Sequence, residues 1–167
     1  MLPSVARARF QKLLNMFRLG DAESFKREMD VCDCIISGSA ALYVIHPTTF
    51  VPNHLDFYVP VDSAFDFEYA LHKLGYRKDD DEDNPPHYGN GPILLVLRLR
   101  KAGVVPTINL IITSTTNPLK AIVQFHTTLV MNVITSEGII CLYTLLYRVA
   151  HILLLLKLLY TNLSGCL

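Results

Sequence analysis

The chain has 167 residues, with 15 Lys plus Arg balancing 15 Asp plus Glu, and 51% of its residues are hydrophobic. About one domain's length at zero formal charge argues against a general nucleic-acid binder, which needs a basic excess, and against an acidic disordered tail. Residues 138–167 hold only two of the thirty charges, Arg148 and Lys157, and 21 apolar side chains, so the apolar surplus sits at the C-terminal end.

Residues 1–19 open without the continuous apolar stretch of a secretory signal. Phe10, Leu13, Leu14 and Phe17 fall at helical spacing among Arg7, Arg9, Lys12 and Arg18. An acid-free basic amphipathic helix also suits a mitochondrial presequence, but a helix packed on the domain is the preferred reading. A second helix is signalled by Asp21 as N-cap, Glu23 in the first turn, and Phe25 and Met29 four apart.

The run from Val31 to Ile36 reads as a strand that places Cys32 and Cys34 on one face as buried reduced thiols. Ser37-Gly38-Ser39 closes it, and a short helix then runs from Ala40 toward Pro47. Leu55–Val59 is a second strand between Pro52 and Pro60. Ala64, Phe67, Leu71 and Leu74 mark one face of a helix ended by Gly75, and Tyr76-Arg77-Lys78 starts an extended piece. Residues 79–92 read as a loop, with an acidic block Asp79–Asp83 that is solvated rather than cation-binding. Residues 93–100 and 107–113 are strand-like and joined closely enough for a hairpin. Asn117-Pro118 opens a helix with Leu119, Ile122 and Val123 facing inward, and residues 129–134 are again extended. Residues 20–137 therefore form one α+β domain, a mixed β-sheet flanked by helices.

Within that domain, strand, Gly38-Ser39, short helix, and then a strand opening His54-Leu55-Asp56 resembles the core signature of the DNA polymerase β-like nucleotidyltransferase fold. Leu74-Gly75-Tyr76, Ile108-Asn109-Leu110-Ile111 and Phe125-His126-Thr127-Thr128-Leu129-Val130-Met131-Asn132 extend the likeness. It becomes a resemblance to a group of fungal proteins with nucleotidyltransferase-like cores over residues 30–146. The resemblance implies that Gly38 and Ser39, at a helix N-terminus, hold a nucleotide's phosphates. It further implies that carboxylates two apart on the next strand hold two Mg²⁺ or Mn²⁺ ions about 3.5 to 4 Å apart, with a third carboxylate on a neighbouring strand.

This chain departs from that pattern. His54 stands at the first carboxylate position, Asp56 is retained as the catalytic carboxylate, and Asn109 is the candidate for the third. One formal charge in place of three removes most of the electrostatic positioning that phosphoryl transfer needs. The expectation is a degenerate nucleotidyltransferase-like domain, catalytically inactive, that binds a nucleotide at the Gly-Ser turn. The alternative is a metal-dependent transferase with an atypical His54/Asp56 metal site. Blander roles stand beside these: Asp56 as a turn cap, His54 as a loop histidine, Ser39 as a helix N-cap, and His126 as a packed structural residue.

Residues 138–167 read as an apolar C-terminal helix. Residues 138–160 are long enough to span a bilayer, but a central Arg148 costs about 2.5 to 3.5 kcal/mol on the insertion scale. A buried or partner-binding helix is therefore preferred to a tail anchor, and an intracellular, cytoplasmic location to a membrane one. A membrane-associated interaction protein, acting through residues 138–160, is the remaining alternative.

Overall fold

The fold is organised by β2 (His54–Pro60), whose Leu55, Phe57 and Val59 are fully buried on one face. The computed structural model describes residues 4–46, 50–79, 91–124 and 131–141. β2 lies between β1 (Ile35–Ser37), antiparallel to it, and β5 (Thr107–Thr113), parallel to it. Beyond β5 come β4 (Ile93–Arg100) and the short β3 (Arg77–Lys78), and beyond β1 come β6 (Asn132–Ile134) and β7 (Ile139–Cys141). The result is a seven-stranded mixed sheet in the order β3-β4-β5-β2-β1-β6-β7, flanked by helices.

One face of the sheet carries α1 (Ser4–Met16), α2 (Ala22–Val31), α3 (Gly38–Ile45) and α4 (Ala64–Lys73). Their apolar stripes share one core with Leu55, Phe57, Val59, Ile108 and Leu110. Phe57 packs between α2 and α4, its ring centroid 5.6 Å from Phe25 and 5.0 Å from Phe67. The other face is covered by the single turn α5 (Leu119–Ile122), which joins Ile35, Tyr58, Ile111 and Val133 in a second, smaller cluster. The N-terminal helix is part of the main core: Phe10, Leu13, Leu14 and Phe17 are buried, and Arg7 pairs with Glu23 at 3.0 Å.

Three helices end in the same way. At α1, α2 and α4 the chain turns through a left-handed residue, Arg18 (φ 48°), Asp33 (φ 49°) and Gly75 (φ 92°). The next amide reaches back five residues: Leu19 to Leu14, Cys34 to Met29, and Tyr76 to Leu71. This double-bonded cap satisfies carbonyls that the helix leaves open, and glycine tolerates its backbone best. Asp21 caps α2 by accepting from the Ser24 amide at 2.9 Å, as its sequence position predicts.

Several expectations are corrected. Phe25, Met29 and Cys32 continue one helical stripe, so α2 runs to Val31 and the strand begins only at Ile35. Cys32 is then the helix C-cap and Cys34 a connector, and the two do not share a strand face. Both thiols are nevertheless buried, and burial pushes the Cys32 pKa up to about 11 and that of Cys34 well above its ordinary value. Val123 is exposed rather than inward, because α5 ends at Ile122. Pro118 occupies the N-cap position, and the Asn117 side chain accepts from the Leu119 amide at 3.0 Å. The 93–100 and 107–113 strands pair antiparallel as expected, with a connection that runs from Lys101 to Pro106.

Ile139–Cys141 is a strand paired with β6, where the sequence suggested the start of an apolar helix. Among the described residues no helix is long and apolar enough to cross a membrane. The expectations for residues 142–167, for the acidic residues 80–83 and for His126 lie outside the described residues.

Tyr76 ties the sheet edge to the end of α1 by donating its buried hydroxyl to the Phe17 carbonyl at 2.7 Å. Tyr76→Phe leaves that carbonyl without its protein donor and is expected to lower stability by about 1 to 3 kcal/mol in urea unfolding. An unchanged midpoint would show that the bond contributes nothing.

Candidate functional site

Strand pairing brings two of the residues that the sequence singles out, Asp56 and Asn109, into one row with Ser37 and Arg98. Ser37 on β1 stands opposite Asp56 on β2, Asp56 opposite Asn109 on β5, and Asn109 opposite Arg98 on β4. Directly paired residues share a sheet face, so these four side chains form one row across four strands. It lies on the face of α5, because the neighbours Leu55, Phe57, Leu97, Leu99, Ile108 and Leu110 all enter the opposite core. The next row inward, Ile35, Tyr58, Ile111 and Val96, is the apolar cluster under α5. The polar row thus borders an apolar floor.

At the centre of the row, the Asn109 amide donates to Asp56 Oδ1 at 2.7 Å. The other carboxylate oxygen lies against the turn that opens α3. Gly38 has φ +72°, and a Cβ placed there would stand 2.7 Å from Asp56 Oδ2. Glycine is required twice at that position, once for the backbone and once for the space. Burial raises the Asp56 pKa above its ordinary value, against the opposing pull of the Asn109 hydrogen bond and of His54.

The remaining site residues are placed less as the sequence suggests. His54 sits two register pairs further out, on the same sheet face but exposed, with Nδ1 hydrogen-bonded to Thr107 Oγ1 at 2.9 Å. Ser39 is not a helix N-cap: it lies half-buried inside the first turn of α3, and the cap position is Ser37. The Ser37 hydroxyl does not cap either, since it donates to the Asn132 carbonyl at 2.8 Å and fastens β1 to β6.

No protein-family model, curated protein or solved structure matches the chain. The site must therefore be judged on its own chemistry. A pair of hard divalent cations needs several carboxylate oxygens. Among the described residues one carboxylate is present here, one of its oxygens already accepts from an amide, and that amide turns N–H groups rather than an oxygen toward it. Among the described residues no group of three or more His, Cys, Asp or Glu could hold a metal ion. These residues do not fit a two-metal centre.

Arg98 and Ser37 complete the row without any signal in the local sequence. Arg98 interrupts an apolar strand as Leu97-Arg98-Leu99, which shows only that it faces away from those leucines. Its position beside Asn109 depends on β4 pairing with β5, a long-range fact. Among the described residues, three clefts formed by other parts of the chain, one of them about 300 Å³ between the end of α2 and the start of α5, do not include Asp56.

The raised Asp56 pKa sets a pH dependence. The folded state holds the proton more tightly than the unfolded state, so Asp56 costs stability as pH rises from its ordinary value of 3.8 through its folded value. Asp56→Asn, which does not titrate, should gain stability relative to the parent across that window and hold the gain at higher pH. Urea midpoints measured from pH 3 to 8 check this. A difference between the two proteins that does not change with pH would contradict it.

Proposed function

We propose that the chain is a nucleotidyltransferase-like domain that binds a nucleotide at the turn between β1 and α3 and performs no phosphoryl transfer. The observation that carries the reading is convergence. Gly38, Asp56 and Asn109 come from three separate stretches of sequence and meet within hydrogen-bonding or van der Waals distance at the start of one helix. The family resemblance implies that same relation: a Gly-Ser turn at a helix N-terminus, a carboxylate on the following strand, and a third position on a neighbouring strand. The amides opening α3 and the positive end of its dipole suit a phosphate group.

The lack of transfer follows from charge. With Asn109 in place of an acid and His54 bonded to Thr107, Asp56 alone supplies negative charge at the three positions. In-line displacement relies on positioned cations to neutralise the attacking and leaving oxygens, and this donor set does not assemble them. Asp56 here is a shaping residue of a binding site.

Isothermal titration with ATP and GTP, with and without Mg²⁺ or Mn²⁺, tests the reading. Binding is expected, and Ser39→Asp should weaken it by about tenfold or more, because a carboxylate in the first turn competes with phosphate for the helix N-terminus. The same substitution complements the helix dipole, so a loss of binding reports on the ligand and not on folding. Absence of binding under every combination of nucleotide and metal would overturn the proposal.

A further inference from the structure

We infer that the outer face of α4 is an interface on which a second copy of this chain docks antiparallel. The inference is independent of the nucleotide reading, because α4 packs on the sheet face opposite the polar row. The helix is aromatic on both of its sides. Phe67 and Leu71 point into the main core and are fully buried, whereas Phe65 and Tyr69, on the far side of the same turns, are 78% and 53% exposed. Among the described residues they are the two most exposed phenylalanine or tyrosine side chains. A single 3₁₀ turn, Val61–Ser63, runs directly into α4 and adds the exposed Val61 four residues before Phe65. Residues four apart lie along one side of a helix. Single exposed apolar side chains are ordinary, but a row of a valine and two aromatics has the composition of an interface centre.

The charges beside this row identify the occupant. The stretch is acidic where it begins, at Asp62, and basic where it ends, at His72 and Lys73. A parallel neighbour of the same kind would set like charge against like, which costs affinity. An antiparallel second copy, related by a two-fold axis beside residue 67, sets opposite charges together. Phe65 of each copy then meets Tyr69 of the other, and Asp62 of each copy meets Lys73 of the other. At about 3.6 residues per turn Asp62 and Lys73 lie on the same flank of the helix, and a two-fold brings equal flanks together. Lys73 is already held at the seam, with Nζ 4.4 Å from the centre of its own Tyr69 ring. Asp66 lies further round the helix, toward Cys32 at the end of α2.

The length of the seam sets the strength of the contact. Thirteen residues from Val61 to Lys73 span about 20 Å. A standard stable interface buries roughly 1,200 to 2,000 Å², and a single helix pair of this length gives less. The dimer is therefore weak and depends on concentration, and it leaves the row of Asp56 and Asn109 uncovered in both copies.

Sedimentation velocity of the full chain, across the micromolar to submillimolar range, tests the inference. The parent should pass from monomer to dimer. Replacing both aromatics, Phe65→Ser with Tyr69→Ser, should weaken dimerisation by about tenfold or more. Asp62→Lys and Lys73→Asp should each dimerise about threefold or more weakly, and an equimolar mixture of the two should recover most of the loss, because the mixed dimer restores both ion pairs. A parent that stays monomeric throughout would overturn the inference and leave the face to residues 142–160 of the same chain or to a different protein. Self-association that the double aromatic substitution leaves unchanged would overturn it too, as would a mixture that associates no more tightly than its components. Should the aromatic variant fail to fold, the mixture of the two charge variants still decides.

Discussion

The structure depends on one close approach: a carboxylate on β2 packed against the glycine that opens α3. Gly38 has no Cβ, and Asp56 Oδ2 lies only 2.7 Å from where that atom would be. The contact exists because β1 and β2 pair antiparallel with Ser37 opposite Asp56, so the chain leaving β1 turns into α3 directly beside the acid. The parallel pairing of β2 with β5 then fixes Asn109 on the far side of the carboxylate. A slip of one residue in either register would move Asp56 into the main core and Leu55 or Phe57 onto the polar row, which the burial of both side chains forbids.

The polar row is costly, and its neighbours show how the cost is met. Partial burial of Asp56 disfavours its charged form, while the Asn109 amide and the nearby His54 act in the opposite direction. On one side of the row the floor is apolar, with Ile35, Tyr58 and Ile111 under α5. On the other, His54 and Thr107 face outward and satisfy each other. Polar groups kept half-buried at the start of a helix suit a ligand site better than a purely structural junction, where apolar side chains of similar volume would serve at lower cost.

Much of this arrangement was legible in the sequence. Gly38-Ser39 followed by a strand bearing Asp56 indicated the turn and the acid, and Asn109 in a second apolar run indicated its partner. The amphipathic spacing of Phe10 to Phe17 and of Ala64 to Leu71 indicated two helices that pack as expected. Other features were hidden for physical reasons. The end of α2 was obscured because Cys32 and Ile35 are both apolar, and a helical stripe merges there into a strand without a glycine to mark the stop. Asp33 does the work of that glycine in a left-handed conformation. Arg98 was invisible as a site residue because only the sheet order brings β4 beside β5 and β5 beside β2. Ser37 stood in the sequence only as the residue before the Gly38-Ser39 turn, and nothing local showed that its hydroxyl donates to the Asn132 carbonyl 95 residues away.

The central claim, that Asp56 is held against the α3 turn, is tested most directly by a double-mutant cycle of Gly38→Ala with Asp56→Ala, read by urea unfolding. Alanine at 38 meets a left-handed backbone in both backgrounds but meets the carboxylate only in the parent. The Gly38→Ala cost should therefore be smaller when Asp56 is already alanine, with a coupling of at least about 0.5 kcal/mol. Strict additivity of the two substitutions would contradict the account.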